Sequence, residues 1–170
     1  RSLIEKLKKE EPQRKIVLTF FSPSGYEVRK NYSHADFVFY LPIDTPQNAK
    51  KFIDTIKPQA IFFVKYEFWF NYLQEFKLQG IKTYLISGIF REGQHFFKPY
   101  GFWFKKQLGC FTHFYVQNNS SAVLLKSIGY NNATIAGDTR FDRVLEIAQH
   151  VKKIPLVEQF IRQQKIIIAG

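Results

Sequence analysis

What most constrains this chain is a strict alternation. Short apolar runs at residues 15–21, 37–41, 60–64, 81–87, 112–117, 133–136 and 165–169 are separated by segments with apolar residues at helical spacing. The runs are rich in Ile, Val, Phe and Tyr and lack polar alternation, the mark of strands buried on both faces. Parallel neighbours need a crossover, and every crossover here reads as helical. The pattern therefore predicts an α/β fold with a doubly wound parallel sheet, Rossmann-like. At 170 residues the chain is long enough for one domain with a real core.

Helical spacing predicts helices over residues 2–10, 26–32, 67–79, 96–108, 119–128, 138–150 and 155–164, and one that opens at Thr45-Pro46. Thr there is an N-cap and Pro the first helical residue. Gly80 closes the 67–79 helix, whose apolar face is Phe68, Trp69, Tyr72, Leu73 and Phe76. Residues 142–155 also read as a connector, and the last apolar run as the opening of a second domain. With Arg1 at one end and a strand running into Gly170 at the other, we expect a piece of a longer protein.

Charge narrows the partners. Lys and Arg number 25 against 14 Asp and Glu, a formal net charge of +11. Such a balance favours anionic partners: nucleic acid, nucleotide sugars, phospholipid or lipopolysaccharide. A single cysteine, Cys110, excludes an internal disulfide and a Cys-based zinc site, and favours a reducing compartment. His34, His95, His113 and His150 show no ligand spacing, so no metal site is expected. Phosphate-loop, dinucleotide, zinc-protease and nucleic-acid motifs are absent, and charge alone speaks for nucleic acid. No apolar run approaches the roughly 18 residues of a bilayer span, and no signal peptide is visible.

Ligands of such sheets bind beyond the carboxyl ends of the strands. That rule selects Thr19 to Gly25 with its turn Ser22-Pro23-Ser24-Gly25, Leu41 to Asp44, Lys65 to Glu67, Ser87 to Arg91, Gln117 to Asn119, and Gly137-Asp138-Thr139-Arg140. The Ser22 turn offers hydroxyls and backbone N–H groups to an anion or a sugar, or is an ordinary helix cap. Asp44 is a ligand group or a capping residue. Glu67 contacts a ligand or complements a helix dipole. Arg140 clamps a phosphate or carboxylate, or lies solvated on the surface. The stretch from Phe96 to Lys106 holds six aromatics, three lysines and no acid. It suits a bilayer headgroup region through Lys98, Phe102, Trp103, Lys105 and Lys106, or it is a buried aromatic helix with lysines at its ends.

Together the strand-end residues resemble the N-terminal domain of 3-deoxy-D-manno-octulosonic acid (Kdo) transferases, glycosyltransferases of GT-B architecture. Thr19-Phe20-Phe21-Ser22-Pro23-Ser24-Gly25 is similar to the family's Thr-rich turn ending in Gly. Leu41-Pro42-Ile43-Asp44 matches Leu-Pro-x-Asp, and Glu67-Phe68-Trp69-Phe70-Asn71 matches Glu-Leu-Trp-Pro-Asn. Gln117-Asn118 with the later Gly129, and Gly137-Asp138-Thr139-Arg140-Phe141-Asp142, resemble two further family segments. Phe70 departs from the family's Pro, Lys65 stands in place of a second glutamate, and Arg140 replaces a Lys.

The resemblance implies residues 1–150 as an acceptor-side Rossmann-like domain whose first strand is missing. Residues 151–170 would be a linker and the start of a donor domain. The parent enzyme would transfer Kdo from CMP-Kdo to a lipid A precursor in lipopolysaccharide synthesis, with no cofactor and no metal, at the cytoplasmic face of the bacterial inner membrane. The presumed catalytic glutamate lies upstream, so no catalytic residue is expected in this chain and the chain alone should be inactive. Thr19, Ser22, Ser24, Gly25 and Glu67 would line the acceptor cleft, and Arg140 would contact the donor phosphate or the Kdo. Partners would be the lipid A precursor, CMP-Kdo and the membrane surface, with no nucleic acid. Two rivals remain open: another GT-B nucleotide-sugar enzyme, and a non-enzymatic basic module binding membrane or nucleic acid.

Overall fold

The structure, a computed structural model, describes residues 2–150, 155, 159 and 160. Among these, seven helices and six strands alternate: α1 (Ser2–Glu10), β1 (Val17–Phe20), α2 (Pro23–Arg29), β2 (Phe37–Tyr40), α3 (Pro46–Ile56), β3 (Ala60–Val64), α4 (Phe70–Leu78), β4 (Lys82–Gly88), α5 (Phe102–Leu108), β5 (His113–Val116), α6 (Asn119–Ser127), β6 (Ala133–Ile135) and α7 (Thr139–Gln149). Every strand pairing is parallel. The fold is α/β, with a parallel four-stranded sheet flanked by helices in the Rossmann-like manner. By contact the chain divides into two units, Arg1–Thr139 and Arg140–Gly170.

Pairing is where sequence and structure part. The six described strands lie in two sheets, β1-β2 and β3-β4-β5-β6. Among the described residues the four-stranded sheet is covered on one face only. There Phe63, Leu85, Phe114 and Val116 pack with Leu73 and Phe76 of α4, Leu108 of α5 and Leu125 of α6. The other face leaves Phe62, Val64 and Tyr115 exposed, so β3, β4 and β5 alternate in burial although their sequences do not alternate in polarity. Two-sided burial needs a second helical layer. Of the described helices, α4, α5 and α6 all contribute to the buried face.

Helix limits also differ, for local reasons. The helix expected over 26–32 starts earlier, because Ser22 caps it and Pro23 takes the first turn. The one expected from Glu67 starts at Phe70. The aromatic stretch is not one helix: a 3-10 turn at His95–Phe97 and the break at Pro99 precede α5. Residues 142–149, read as part of a connector, belong to α7. Thr45 caps α3 as expected, its hydroxyl accepting from Asn48 N–H at 3.2 Å. The strand expected at 165–169, and most of the helix expected at 155–164, lie outside the described residues.

An acid ties the first elements together. Asp36, just before β2, accepts from Lys8 of α1 (2.7 Å), Lys15 (3.0 Å) and the Ile16 backbone N–H (2.8 Å). The Lys8 bond first, then the Ile16 and Lys15 bonds, hold its carboxyl well below the usual carboxylate range.

Candidate functional site

The carboxyl ends of the strands carry the candidate groups, and three sets of contacts join their loops. One is aromatic. Phe21, after β1, packs on Trp69, before α4, with ring centroids 4.6 Å apart. Trp69 Nε1 in turn donates to Glu67 Oε2 at 2.6 Å. The Ser22 turn and the Glu67 loop are therefore neighbours, although 45 residues of sequence separate Ser22 from Glu67.

Within the Ser22 turn the hydroxyls are used locally. Ser22 Oγ accepts from Gly25 N–H at 3.2 Å and lies 3.3 Å from Ser24 Oγ. Thr19 sits half-buried in β1. Gly25 has a packing reason to be glycine: an added Cβ would lie 2.8 Å from Phe20 Cδ1. Glu67 is exposed, in the turn between β3 and α4, outside the helix it was expected to start. Its oriented carboxylate faces solvent beside Trp69, with one oxygen engaged by the indole.

Asp44 forms the second link. Its Oδ2 accepts from Asn71 N–H and its Oδ1 from Tyr72 N–H, both at 3.2 Å, while its carbonyl accepts from Asn71 Nδ2 at 2.9 Å. Those amides are the second and third of α4, whose own N-cap, Trp69, supplies no side-chain bond. Asp44 is thus a capping residue supplied from another loop. Tyr72 beneath it donates to the Pro42 carbonyl at 3.1 Å. Burial, and then the Asp44 charge, push its phenol up to about 12.

The third set crosses the four-stranded sheet. Ser87, at the end of β4, is buried in a left-handed conformation (φ 52°). Its Oγ accepts from Thr139 N–H (3.3 Å) and donates to Thr139 Oγ1 (3.1 Å). Gln117, after β5, donates to the Ser87 carbonyl at 3.0 Å. Lys65, after β3, is also left-handed (φ 63°), and its Nζ lies 3.9 Å from Asp138 Oδ2. The turn after β6 is thereby fastened over the ends of the other three strands. Gly137 (φ 75°) allows that turn, because only glycine takes this conformation without penalty. Lys65, Ser87, Gln117 and Asp138 all fall in the strand-end segments that the carboxyl-end rule selects, but the sequence pattern assigns none of them a role of its own. The visible signals were Ser87-Gly88 at a strand end and Gly137 ahead of a helix.

Arg140 stands exposed in the first turn of α7. On the aromatic segment, Phe102 is 76% and Trp103 49% exposed, while Phe104 is half-buried. Trp103 packs edge-on against Phe70 at 4.8 Å, and Phe104 stacks on His95 at 5.1 Å. Lys106 is exposed, Lys98 and Lys105 half-buried. Exposed Phe21, Ile43 and Tyr66 sit in the loops after β1, β2 and β3, so apolar groups rim the carboxyl edge. A surface depression lined by Ile53, Asp54, Lys57, Pro58, Gln79 and Ile81 lies instead toward the amino ends of β3 and β4, away from the ligand end of a parallel sheet. Among the described residues no group of three or more His, Cys, Asp or Glu could hold a metal ion. No described helix is long and apolar enough to cross a membrane. Cys110 is buried, and its burial pushes the thiol up, as suits a small apolar core residue.

Comparison with known proteins places the chain in a family. Residues 1–143 match the family described as 3-deoxy-D-manno-octulosonic-acid transferase (kdotransferase). The chain is similar to a 3-deoxy-D-manno-octulosonic acid transferase of Haemophilus influenzae, 30% identical over 80 residues, which is 46% of this chain and 19% of that protein. It is also similar to the transferase of the same name from Aquifex aeolicus, 38% identical over 68 residues, 39% of this chain and 18% of that protein. The matched stretches span about a fifth of each relative's length.

Proposed function

Since the chain belongs to the Kdo transferase family, we propose that it forms the acceptor side of a glycosyltransferase that moves Kdo from CMP-Kdo to a lipid A precursor. The observation that carries this reading is the makeup of the carboxyl edge. An oriented carboxylate, Glu67, is held by Trp69 beside an aromatic rim, and Trp103 of the basic helix α5 packs on Phe70 at the start of α4. An amphiphilic phosphorylated sugar needs those three surfaces: a polar group for its hydroxyls, apolar area for its acyl chains, and cations for its phosphates.

In this reading Glu67 orients the acceptor or its neighbours, its second oxygen being available for a sugar hydroxyl. Thr19, Ser22, Ser24 and Gly25 shape the wall beside it, and Ser22 contributes mainly by capping α2. Arg140 holds the phosphate or the Kdo carboxylate as a planar two-pronged donor. Lys98, Phe102, Trp103, Lys105 and Lys106 meet the inner-membrane surface on its cytoplasmic face, each lysine contributing roughly 1 kcal/mol near anionic lipid. The chemistry draws on no cofactor or metal, and nucleic acid is no partner.

The test is Kdo transfer from CMP-Kdo to a lipid A precursor by the longer polypeptide carrying this chain. Glu67→Ala and Arg140→Ala should lose turnover with the fold intact, Arg140→Lys should keep part of it, and the 170-residue chain by itself should be inactive. Wild-type kinetics in both alanine variants would overturn the assignment. Binding to anionic vesicles should weaken as salt rises and drop in a Trp103→Ser, Lys105→Glu, Lys106→Glu variant. Unchanged binding would remove α5 from the membrane contact.

A further inference from the structure

Resting on that reading, we propose that Lys65 receives the carboxylate of the sugar acid, and that Asp138 holds the lysine in readiness by standing in for that carboxylate. Lys65 directly follows β3, and its backbone N–H still bonds to the Ile86 carbonyl of β4 at 2.9 Å. Its side chain is 29% exposed, so the ammonium is within reach of solvent, whereas the Asp138 side chain is 4% exposed. At 3.9 Å their contact is a charge pairing too long for a hydrogen bond. It fixes where the ammonium sits without engaging its N–H donors. An incoming carboxylate that hydrogen-bonds Lys65 directly makes the stronger, shorter contact.

Backbone strain marks the same place. Three described non-glycine residues have positive φ: Lys57, Lys65 and Ser87. Lys57 is the cap that ends α3, an ordinary use of that conformation. Lys65 and Ser87 instead end neighbouring strands of one sheet, where strained residues gather at ligand sites. The two sides of the pair differ in freedom. The turn carrying Asp138 is pinned by both Ser87–Thr139 bonds and, through Ser87, by Gln117. Lys65 presents its charge on a four-carbon stem that swings with little cost. Exchange of partner therefore falls to the lysine, while the aspartate keeps its place. A ligand charge entering at the carboxyl edge meets a cation already located by the fold, beside Glu67 two residues along the chain.

The test titrates the chain with free Kdo and reads binding by calorimetry and by the NMR signal of the lysine ammonium groups. Kdo methyl ester and inorganic phosphate serve as the other probes. Lys65→Gln should weaken Kdo binding roughly tenfold or more, the loss of one charge-assisted bond. Lys65→Arg should retain most of it. Asp138→Asn removes the internal competitor and should tighten Kdo binding severalfold, and the ester should bind no more tightly to the parent chain than to Lys65→Gln. Kdo binding indifferent to Lys65→Gln overturns the proposal while leaving the transferase reading intact. Lys65-dependent phosphate binding without Kdo binding overturns the carboxylate assignment and counts against the transferase reading as well. Lys65→Gln changes a partly exposed side chain and leaves the backbone bond to Ile86 in place, so its comparison with the parent stands even if Asp138→Asn folds poorly.

Discussion

Replacing Asp44 with alanine isolates a helix cap supplied from 27 residues away in sequence. Helix α4 starts at Phe70 with no side-chain bond from Trp69, so the Asn71 and Tyr72 amides depend on the Asp44 carboxylate. Both bonds are 3.2 Å, at the long end for N–H···O, which argues for about 1 kcal/mol each rather than the 1.5–3 of short charge-assisted bonds. Helix-dipole attraction for the carboxylate adds a few tenths of a kcal/mol. The summed loss is about 2 kcal/mol, the upper end of a local N-cap replacement. For a chain of this size that lowers Tm by roughly 4–8 °C. Asp44→Asn keeps one oxygen acceptor and should lose about half as much. Urea denaturation of the parent and both variants, followed by circular dichroism, measures these differences. Titration of Tyr72 supplies a second readout: without the Asp44 charge its phenol should fall below its value of about 12 while staying raised by burial. A loss under about 0.5 kcal/mol in Asp44→Ala, or an asparagine variant as unstable as the alanine one, would refute the capping argument.

Other substitutions probe other layers. Gly101 has an ordinary φ of −81°, but a Cβ there would overlap the His95 carbonyl oxygen and sit 3.0 Å from that of Lys98, so Gly101→Ala should cost about 3 kcal/mol or more by urea denaturation. Ser87→Gly relieves a positive φ while Ser87→Ala keeps it, and both lose the Thr139 bonds; the alanine variant should be less stable by about 1 kcal/mol in the same assay. Asp36, whose carboxyl is held low chiefly by Lys8, contributes stability that is complete above about pH 4 and is lost as pH falls toward its folded value. Acid titration of Asp36→Asn should show a shallower loss over that range, and a slope equal to the parent's would exclude Asp36 as its source.

Local chemistry made much of this architecture legible. Thr45-Pro46 opens α3 because a hydroxyl cap and a fixed φ need no tertiary help. Gly80 follows α4 with φ 69°, as a helix-ending glycine should. What escaped the sequence is non-local. The true start of α4 is set by Asp44 from another loop, which no helical period reports. Pro99 and Gly101 did signal the break before α5, but the density of aromatics around them masks it as one helix. Strand pairing into two sheets depends on which edges meet, and composition does not encode that. For the site, the rule that ligands gather at carboxyl ends located the loops. It did not identify partners such as Ser87 with Thr139, 52 residues apart.

The absence of any buried side chain from residues 2–40 has a kinetic meaning. Helices α1 and α2 and the β1-β2 pair are held by half-buried contacts and by the Asp36 bonds, whereas the first fully buried residue along the chain is Ala49. Opening of a segment is limited by the apolar area it must expose. Amide hydrogens of β1 and β2 should therefore exchange with solvent through a local opening, ahead of those in β4 and β5, which wait on global unfolding. The Ser22 turn travels with the early-opening segment and Glu67 with the late one, so the Phe21–Trp69 contact is the seam at which that opening separates the two loops.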